Sequence, residues 1–335
     1  MLILSNSDVR QVLDGHEPLV LDAVRDAYVR HASGETALPE SVFLRFPDDA
    51  RNRIIGLPAY VGGADPVAGM KWIASFPGNV PAGMERASAV IILNSTATGQ
   101  PLALIEGSVV SARRTAASAA LASAILPGEA AETGAALIGC GLINAEVLRF
   151  LTVVHPRLRK VTVFDLDASR AAAFARRCEA ELGVTARLAA RADEALAAHP
   201  LAAIATTASV PYLDLDACAP GSLVLHVSLR DVTISGVLNA VNIVDDPDHV
   251  FRAATSIELA GQHVGHRGFI DAAIGDLLRD GPRRRATDRV TLFSPFGLGV
   301  LDMAVADMVA RHARQRGLGT ELAGFLPVRA TVPAA

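Results

Sequence analysis

AALIGCGLIN, residues 135–144, is the stretch on which the fold turns. Apolar Ala135–Ile138 reads as a strand, Gly139 and Gly141 as a turn, and the apolar pattern resumes at Leu142 as a helix. In such a unit the first glycine makes the tight turn and the second lets the backbone approach a pyrophosphate. The helix N-terminus, at Leu142 and Ile143, adds free N–H donors and a partial positive charge. Asn144 departs from the pattern, standing where a third glycine is usual. Asp165 closes the next strand, VTVFD, where an acid accepts ribose hydroxyls and repels a 2′-phosphate. The unit is read as a dinucleotide site favouring NAD over NADP. The alternative is a plain glycine turn in an α/β domain.

Working outward, strands and helices alternate from Gly134 onward. Strands are expected near 161–164, 201–205, 223–227 and 241–244, with helices at Leu142–Val154 and Ala168–Leu182. That alternation predicts a parallel sheet covered by helices on both faces. The first third differs: two helices, the second over Pro18–His31, are followed by strand-like segments from Ser41 to Ile105. The turn at Ala97–Gln100 makes the last two a hairpin, so this part reads as an antiparallel sheet. A small-residue helix, Ser108–Leu126 with Ser108 as its cap, leads into the second part. A long helix, Leu298–Arg316, can return the chain to the first.

Only two of the 335 residues are lysine, and Lys71 lies inside the apolar run VAGMKWIAS. Arginine stays charged at any working pH, whereas a desolvated lysine can trade a proton near neutrality. The alternative is a lysine that snorkels its ammonium to solvent. Strand alternation puts Val67, Gly69, Lys71 and Ile73 on one face, and the glycine is read as leaving room for something to approach.

Composition narrows the function classes. With 51% hydrophobic residues the chain can bury one large core or two moderate ones. A net charge of −4 without a basic stripe argues against nucleic acid, and Arg283–Arg285 reads as a solvated loop. Cys140, Cys178 and Cys218 are widely spaced, which suits reduced thiols and neither disulfides nor zinc. No apolar run is long enough to span a bilayer or serve as a signal peptide, so a cytoplasmic protein without a membrane partner is expected. His263 and His266 lack a third ligand at sensible spacing, and no metal is expected.

Other residues carry weaker signals. Arg113 and Arg114 sit in an otherwise small, apolar helix, so at least one guanidinium should be paired with carboxylate or phosphate. Asp231, in HVSLRDV, follows a strand whose carboxyl end faces the ligand crevice of such sheets, with a turn residue as the alternative. Arg45 in FLRF and Arg86 in MERASAV are uninformative singly.

Taken in order, GMKWIAS, GMERASAVIILN, ATGQP, SARRTAASAALAS, AALIGCGLI and TLFSPFGLGVLDMAVA run through nearly the whole chain. Together they resemble the ornithine cyclodeaminase/mu-crystallin family, and most its N-(2-amino-2-carboxyethyl)-L-glutamate dehydrogenase branch, which makes 2,3-diaminopropionate for siderophores and peptide antibiotics. The resemblance implies a homodimer with an NAD-binding Rossmann domain (118–304) inserted in an α+β substrate and dimerisation domain (1–117 and 305–335). It implies that Lys71 and Arg45 bind an amino-acid substrate, and that Arg114 holds a substrate carboxylate or cofactor phosphate. Thr115 would touch the cofactor phosphates, Asp231 would be the acid/base, with Lys71 assisting proton transfer. Thr206, Thr207 and Ser294 would line the nicotinamide side. Two departures matter. Cyclodeaminases usually carry a lysine a few residues after the acid, where this chain has VTIS, and Arg86 replaces a small polar residue. An extra cation suits a substrate with more carboxylates than ornithine. The alternatives are an ornithine cyclodeaminase or imine reductase, and a nucleotide-binding protein without turnover.

Overall fold

The computed structural model describes residues 1–129 and 132–327, so 328–335, the end of the first domain as divided above, lie outside the described residues. Two sheets of eight strands each organise it. The second is the parallel sheet expected from the alternation. Its order is Thr185–Leu188, Lys160–Phe164, Gly134–Ile138, Leu201–Ile204, Leu223–His226, Thr291–Ser294, Val241–Val244 and Ile270–Ala273. Every pairing in it is parallel. The chain leaves Gly134–Ile138 toward one edge and later returns on its other side at Leu201–Ile204. The strand order therefore reverses at the glycine turn, which is where such sheets open a crevice.

The first sheet is mixed rather than purely antiparallel. Leu2–Leu4 runs parallel to Pro101–Glu106, and the hairpin series Pro101–Glu106, Ala87–Asn94, Val67–Ser75 and Asp49–Val61 is antiparallel. Thr36–Ala37 and Val42–Phe46 both pair with Asp49–Val61, and Thr320–Glu321 closes the far edge against Leu2–Leu4. Asp49–Val61 runs for 13 residues, because neighbours on both sides satisfy its backbone.

Helix Gly107–Ile125 joins the two sheets. It is buried on nearly every side, and its run of alanine and serine lets it pack closely against Leu142–Val154. Its cap is Glu106, not Ser108: the Glu106 carboxylate accepts from the N–H groups of Ser108 (2.8 Å) and Val109 (3.4 Å). A charged acceptor suits the positive end of a helix better than a hydroxyl. One apolar core continues through this helix from Leu4 and Val20 to Leu137 and Phe293. Residues 117/118 fall inside this helix and 304/305 inside Gly299–Gln315.

The basic cluster near 284 is split. Arg283 and Arg284 are exposed, but Arg285 is 7% exposed and pairs with Glu132. Position within the triplet, not composition, sets which guanidinium turns inward. No helix among the described residues is long and apolar enough to cross a membrane, and none of their His, Cys, Asp and Glu side chains form a metal-binding group.

Candidate active site

At the glycine turn Gly139 has φ +90°, and an ideal Cβ there would lie 2.3 Å from the Ala205 carbonyl oxygen. Only glycine lets the first strand approach its neighbour across the crevice. Gly141 precedes helix Leu142–Val154 without a side-chain cap, and a Cβ there meets nothing within 4 Å. The helix therefore presents uncapped N–H groups and open space, as an anionic phosphate needs. Asn144 is fully buried, and its amide donates to the carbonyls of Ile138 (2.9 Å) and Gly139 (2.8 Å). The departure from the glycine pattern thus ties the turn to the helix. Asp165 Oδ2 accepts from Cys140 N–H at 2.8 Å, which points its carboxylate at the turn.

The two glycines should separate in a test. Gly139→Ala is expected to cost about 2 kcal/mol or more in urea unfolding, from strain and overlap. Gly141→Ala should leave stability nearly unchanged, because its Cβ enters open space.

Across the crevice Asp231 has no exposed surface. Its carboxylate accepts from the hydroxyls of Thr206 and Ser228, and His226 Nε2 lies 3.3 Å from Oδ2. Burial works against its charge, but the bond and charge of His226, with Ser228 and Thr206, outweigh it and hold the carboxyl below its ordinary value. Asp231 N–H also lies 3.2 Å from His226 Nε2, and the ring's Nδ1 faces Ser294 Oγ at 3.2 Å. Ser294 is fully buried; Thr207 is exposed just past the end of its strand. The turn carrying Asp231 includes Leu229 at φ +70°, an unusual conformation for a buried leucine, held where its carbonyl accepts from Ser256 N–H at 2.7 Å.

Lys71 is 2% exposed, and its Nζ donates to Asp302 at 2.7 Å and Ser111 at 3.1 Å. The other Asp302 oxygen accepts from Arg114 Nε at 3.0 Å. Burial lowers the Lys71 ammonium to about 8; Asp302 opposes the shift and Arg114 adds to it. The room expected beside Gly69 is filled. An ideal Cβ there would lie 2.1 Å from the Ile92 carbonyl oxygen and 2.9 Å from Met303 Sδ, so the glycine admits helix Gly299–Gln315. That helix brings Asp302 to the lysine.

Arg113 turns away from the crevice to Asp14 (2.5 Å), Glu17 (3.0 Å) and Glu146 (2.8 Å) and pins the joining helix. Thr115 donates its hydroxyl to Ser111 O within the helix at 2.7 Å. Arg45 lies exposed over the Phe43 ring, 5.7 Å from its centroid, and Arg86 donates to Ser75 Oγ at 3.0 Å. Loop residues Phe296 and Gly297 are fixed by their N–H groups on Asp245, at 2.8 and 2.6 Å. The structure thus groups Lys71 with Arg114, and Asp231 with Thr206 and Ser294. Gly139, Gly141, Leu142, Ile143 and Asp165 gather at the turn. Asp302 and His226 were not singled out from sequence, although Asp302 had a signal. An acid inside the apolar run GVLDMAVA answers a lysine inside VAGMKWIAS, because a buried ammonium needs a countercharge.

The family model for the ornithine cyclodeaminase/mu-crystallin family matches residues 2–317. The chain belongs to that family. Among its relatives, N-((2S)-2-amino-2-carboxyethyl)-L-glutamate dehydrogenase of Staphylococcus aureus is 30% identical over 330 residues, covering 96% of this chain and 98% of that protein. Two solved structures superpose closely. Delta(1)-pyrroline-2-carboxylate reductase of Thermococcus litoralis, in complex with NADH and L-proline, has a TM-score of 0.89 at 25% identity, over 96% of this chain and 100% of that one. An archaeal alanine dehydrogenase dimer with bound NAD has a TM-score of 0.85 at 25% identity, over 97% and 99%. The α/β architecture with a Rossmann-type sheet is thus the family's own.

Proposed function

We propose that this family member is an NAD-dependent dehydrogenase that cleaves N-(2-amino-2-carboxyethyl)-L-glutamate to L-2,3-diaminopropionate and 2-oxoglutarate, with NADH formed. The observation that carries the reading is the full-length likeness to the S. aureus enzyme. The crevice between Gly139 and Asp231 fits the cofactor, having an uncapped helix N-terminus and an acid at the ribose position. When held there, NAD⁺ would supply the hydride acceptor for the glutamyl Cα, and water would split the resulting substrate imine into the two products.

The chain's own groups orient and move protons. The N–H groups at Leu142 and Ile143, with Thr115 and Arg114, would hold the phosphates of that cofactor, and Asp165 its ribose. Thr206, Thr207 and Ser294 would line the nicotinamide side. Asp231 takes the amine proton and hands it on, with Thr206 and Ser228 as hydroxyl contacts and His226 fixing the carboxylate. Lys71 is held by Asp302 and Ser111 and has one donor left for a substrate carboxylate; Arg45, Arg86 and Arg114 serve the same end. Residues 118–304 form the cofactor domain, and 1–117 with 305–335 the substrate and dimerisation domain.

Enzyme, NAD⁺ and the glutamyl adduct together are expected to give NADH in step with 2-oxoglutarate. Product without net NADH overturns the reading. Ornithine converted to proline and ammonia, or a cyclic imine that consumes NADH, would mark a different family activity.

A homodimer is part of the same reading. The sheet face opposite Lys71 leaves Val42, Trp72 and Val90 exposed in one row across neighbouring strands, with Leu44 and Tyr60 beside it. A contiguous apolar face of that kind suits a second copy. Trp72→Glu is expected to convert a dimer to monomers in sedimentation analysis, and a monomeric wild type would overturn the assignment.

A further inference from the structure

Four arginines without a carboxylate partner among the described residues gather at one end of the crevice. Arg45 and Arg53 are direct cross-strand neighbours, Arg53 is also opposite Ser75, and Arg86 Nη1 donates to Ser75 Oγ at 3.0 Å. Opposed residues project to the same face, and Ser75, Ile73 and Lys71 alternate along one strand. The row therefore lies on the Lys71 face, about 13 Å along the strand from that amine. Arg230 arrives from the second sheet, one residue before Asp231. Its Nε and Nη2 both donate to the Ala253 carbonyl, at 3.0 and 2.7 Å, which fixes the guanidinium and leaves Nη1 without a hydrogen bond among the described residues. Arg53 is held below its ordinary value first by burial and then by the charges of Arg230, Arg86 and Arg45, and the charge of Arg45 acts on Arg230 as well.

Like charges directly opposed in a sheet destabilise it. Elsewhere the chain neutralises its buried arginines: Arg113, Arg114 and Arg285 each meet protein carboxylates. An unneutralised cluster at a crevice calls for an anion supplied from outside, and one carboxylate cannot balance four cations. Resting on the proposed function, we propose that Arg53 and Arg230 complete with Arg45 a clamp for the distal carboxylates of a multiply anionic amino-acid substrate, selecting it over monocarboxylates. Arg230 shares its turn with Asp231, so the same backbone geometry positions the clamp and the acid/base group. A guanidinium fork suits this task because it grips a carboxylate with two parallel bonds.

Arg53→Gln and Arg230→Gln are each expected to raise KM for N-(2-amino-2-carboxyethyl)-L-glutamate about 10- to 100-fold. The change in kcat should be much smaller, and NAD⁺ affinity should be retained as a check on folding. Arg53→Lys, which keeps the charge but not the fork, should fall between. An unchanged KM in either glutamine variant overturns the clamp. Should the wild type not turn over the adduct, the functional reading fails and calorimetry on the NADH-loaded enzyme decides the clamp alone. Tighter binding of 2-oxoglutarate than of pyruvate, lost in both variants, supports it; equal binding of the two acids overturns it.

Discussion

Asp302→Asn is expected to cost about 3–5 kcal/mol in urea unfolding. Asp302 is completely buried and accepts from both Lys71 and Arg114, so the substitution strands two cations in the core. Against the roughly 5–15 kcal/mol that holds a typical protein together, that loss is large. Adding Lys71→Met should recover part of it, because an apolar side chain has no charge to desolvate. A pH series gives an independent readout. Lys71 sits near 8 in the folded chain against an ordinary 10.5, so between those values the unfolded chain binds more protons. Wild-type stability therefore gains from this group as pH rises through that window, and the gain is absent below about 8. Asp302 is what holds the lysine up, so in Asp302→Asn the window should extend to lower pH. A loss of stability below about 1 kcal/mol, the scale of a surface pair, would refute this account of the trio.

Asp231→Asn is expected to lower kcat by about 10²- to 10⁴-fold, the usual worth of a positioned acid or base. The amide is nearly isosteric, and the backbone bonds that hold the turn do not involve the side chain: Tyr212 and Leu213 N–H groups both donate to Asp231 O at 2.8 Å. The fold and NAD⁺ binding should therefore survive, which separates a chemical role from a structural one. His226→Asn removes the imidazole that lowers the Asp231 carboxyl, so the acidic limb of the rate profile should move to higher pH. A rate for Asp231→Asn close to wild type would remove it from the chemistry.

Much of the second sheet was legible because its signals are local. Gly139, Gly141 and the apolar helix after them lie within 16 residues, and strand and helix periods differ enough to be told apart. Helix Leu142–Val154 and strand Val241–Val244 have the expected ends. The first sheet was less legible at its margins. Leu2–Leu4 pairs in parallel with a strand about a hundred residues later, and Thr320–Glu321 is two residues long. Such pairings depend on neighbours distant in sequence, which no window of the chain contains.

The site divides in the same way. Local sequence established that Lys71 is an amine among hydrophobes, that Asp231 follows a strand of the parallel sheet, and that a glycine turn opens a helix. Which charge meets which was decided by tertiary packing. Lys71 pairs with Asp302 across 231 residues because Gly69 admits the returning helix, and Arg113 and Arg114, adjacent in sequence, face opposite ways because successive helical residues are about 100° apart. The same holds for the Arg45, Arg53, Arg86 and Arg230 cluster: no spacing in the chain announces it, since strand register and the approach of the second sheet assemble it. Residue type and local period set which chemistry is available. Long-range contacts set where each group stands, because burial and countercharge depend on chain segments that only folding brings together.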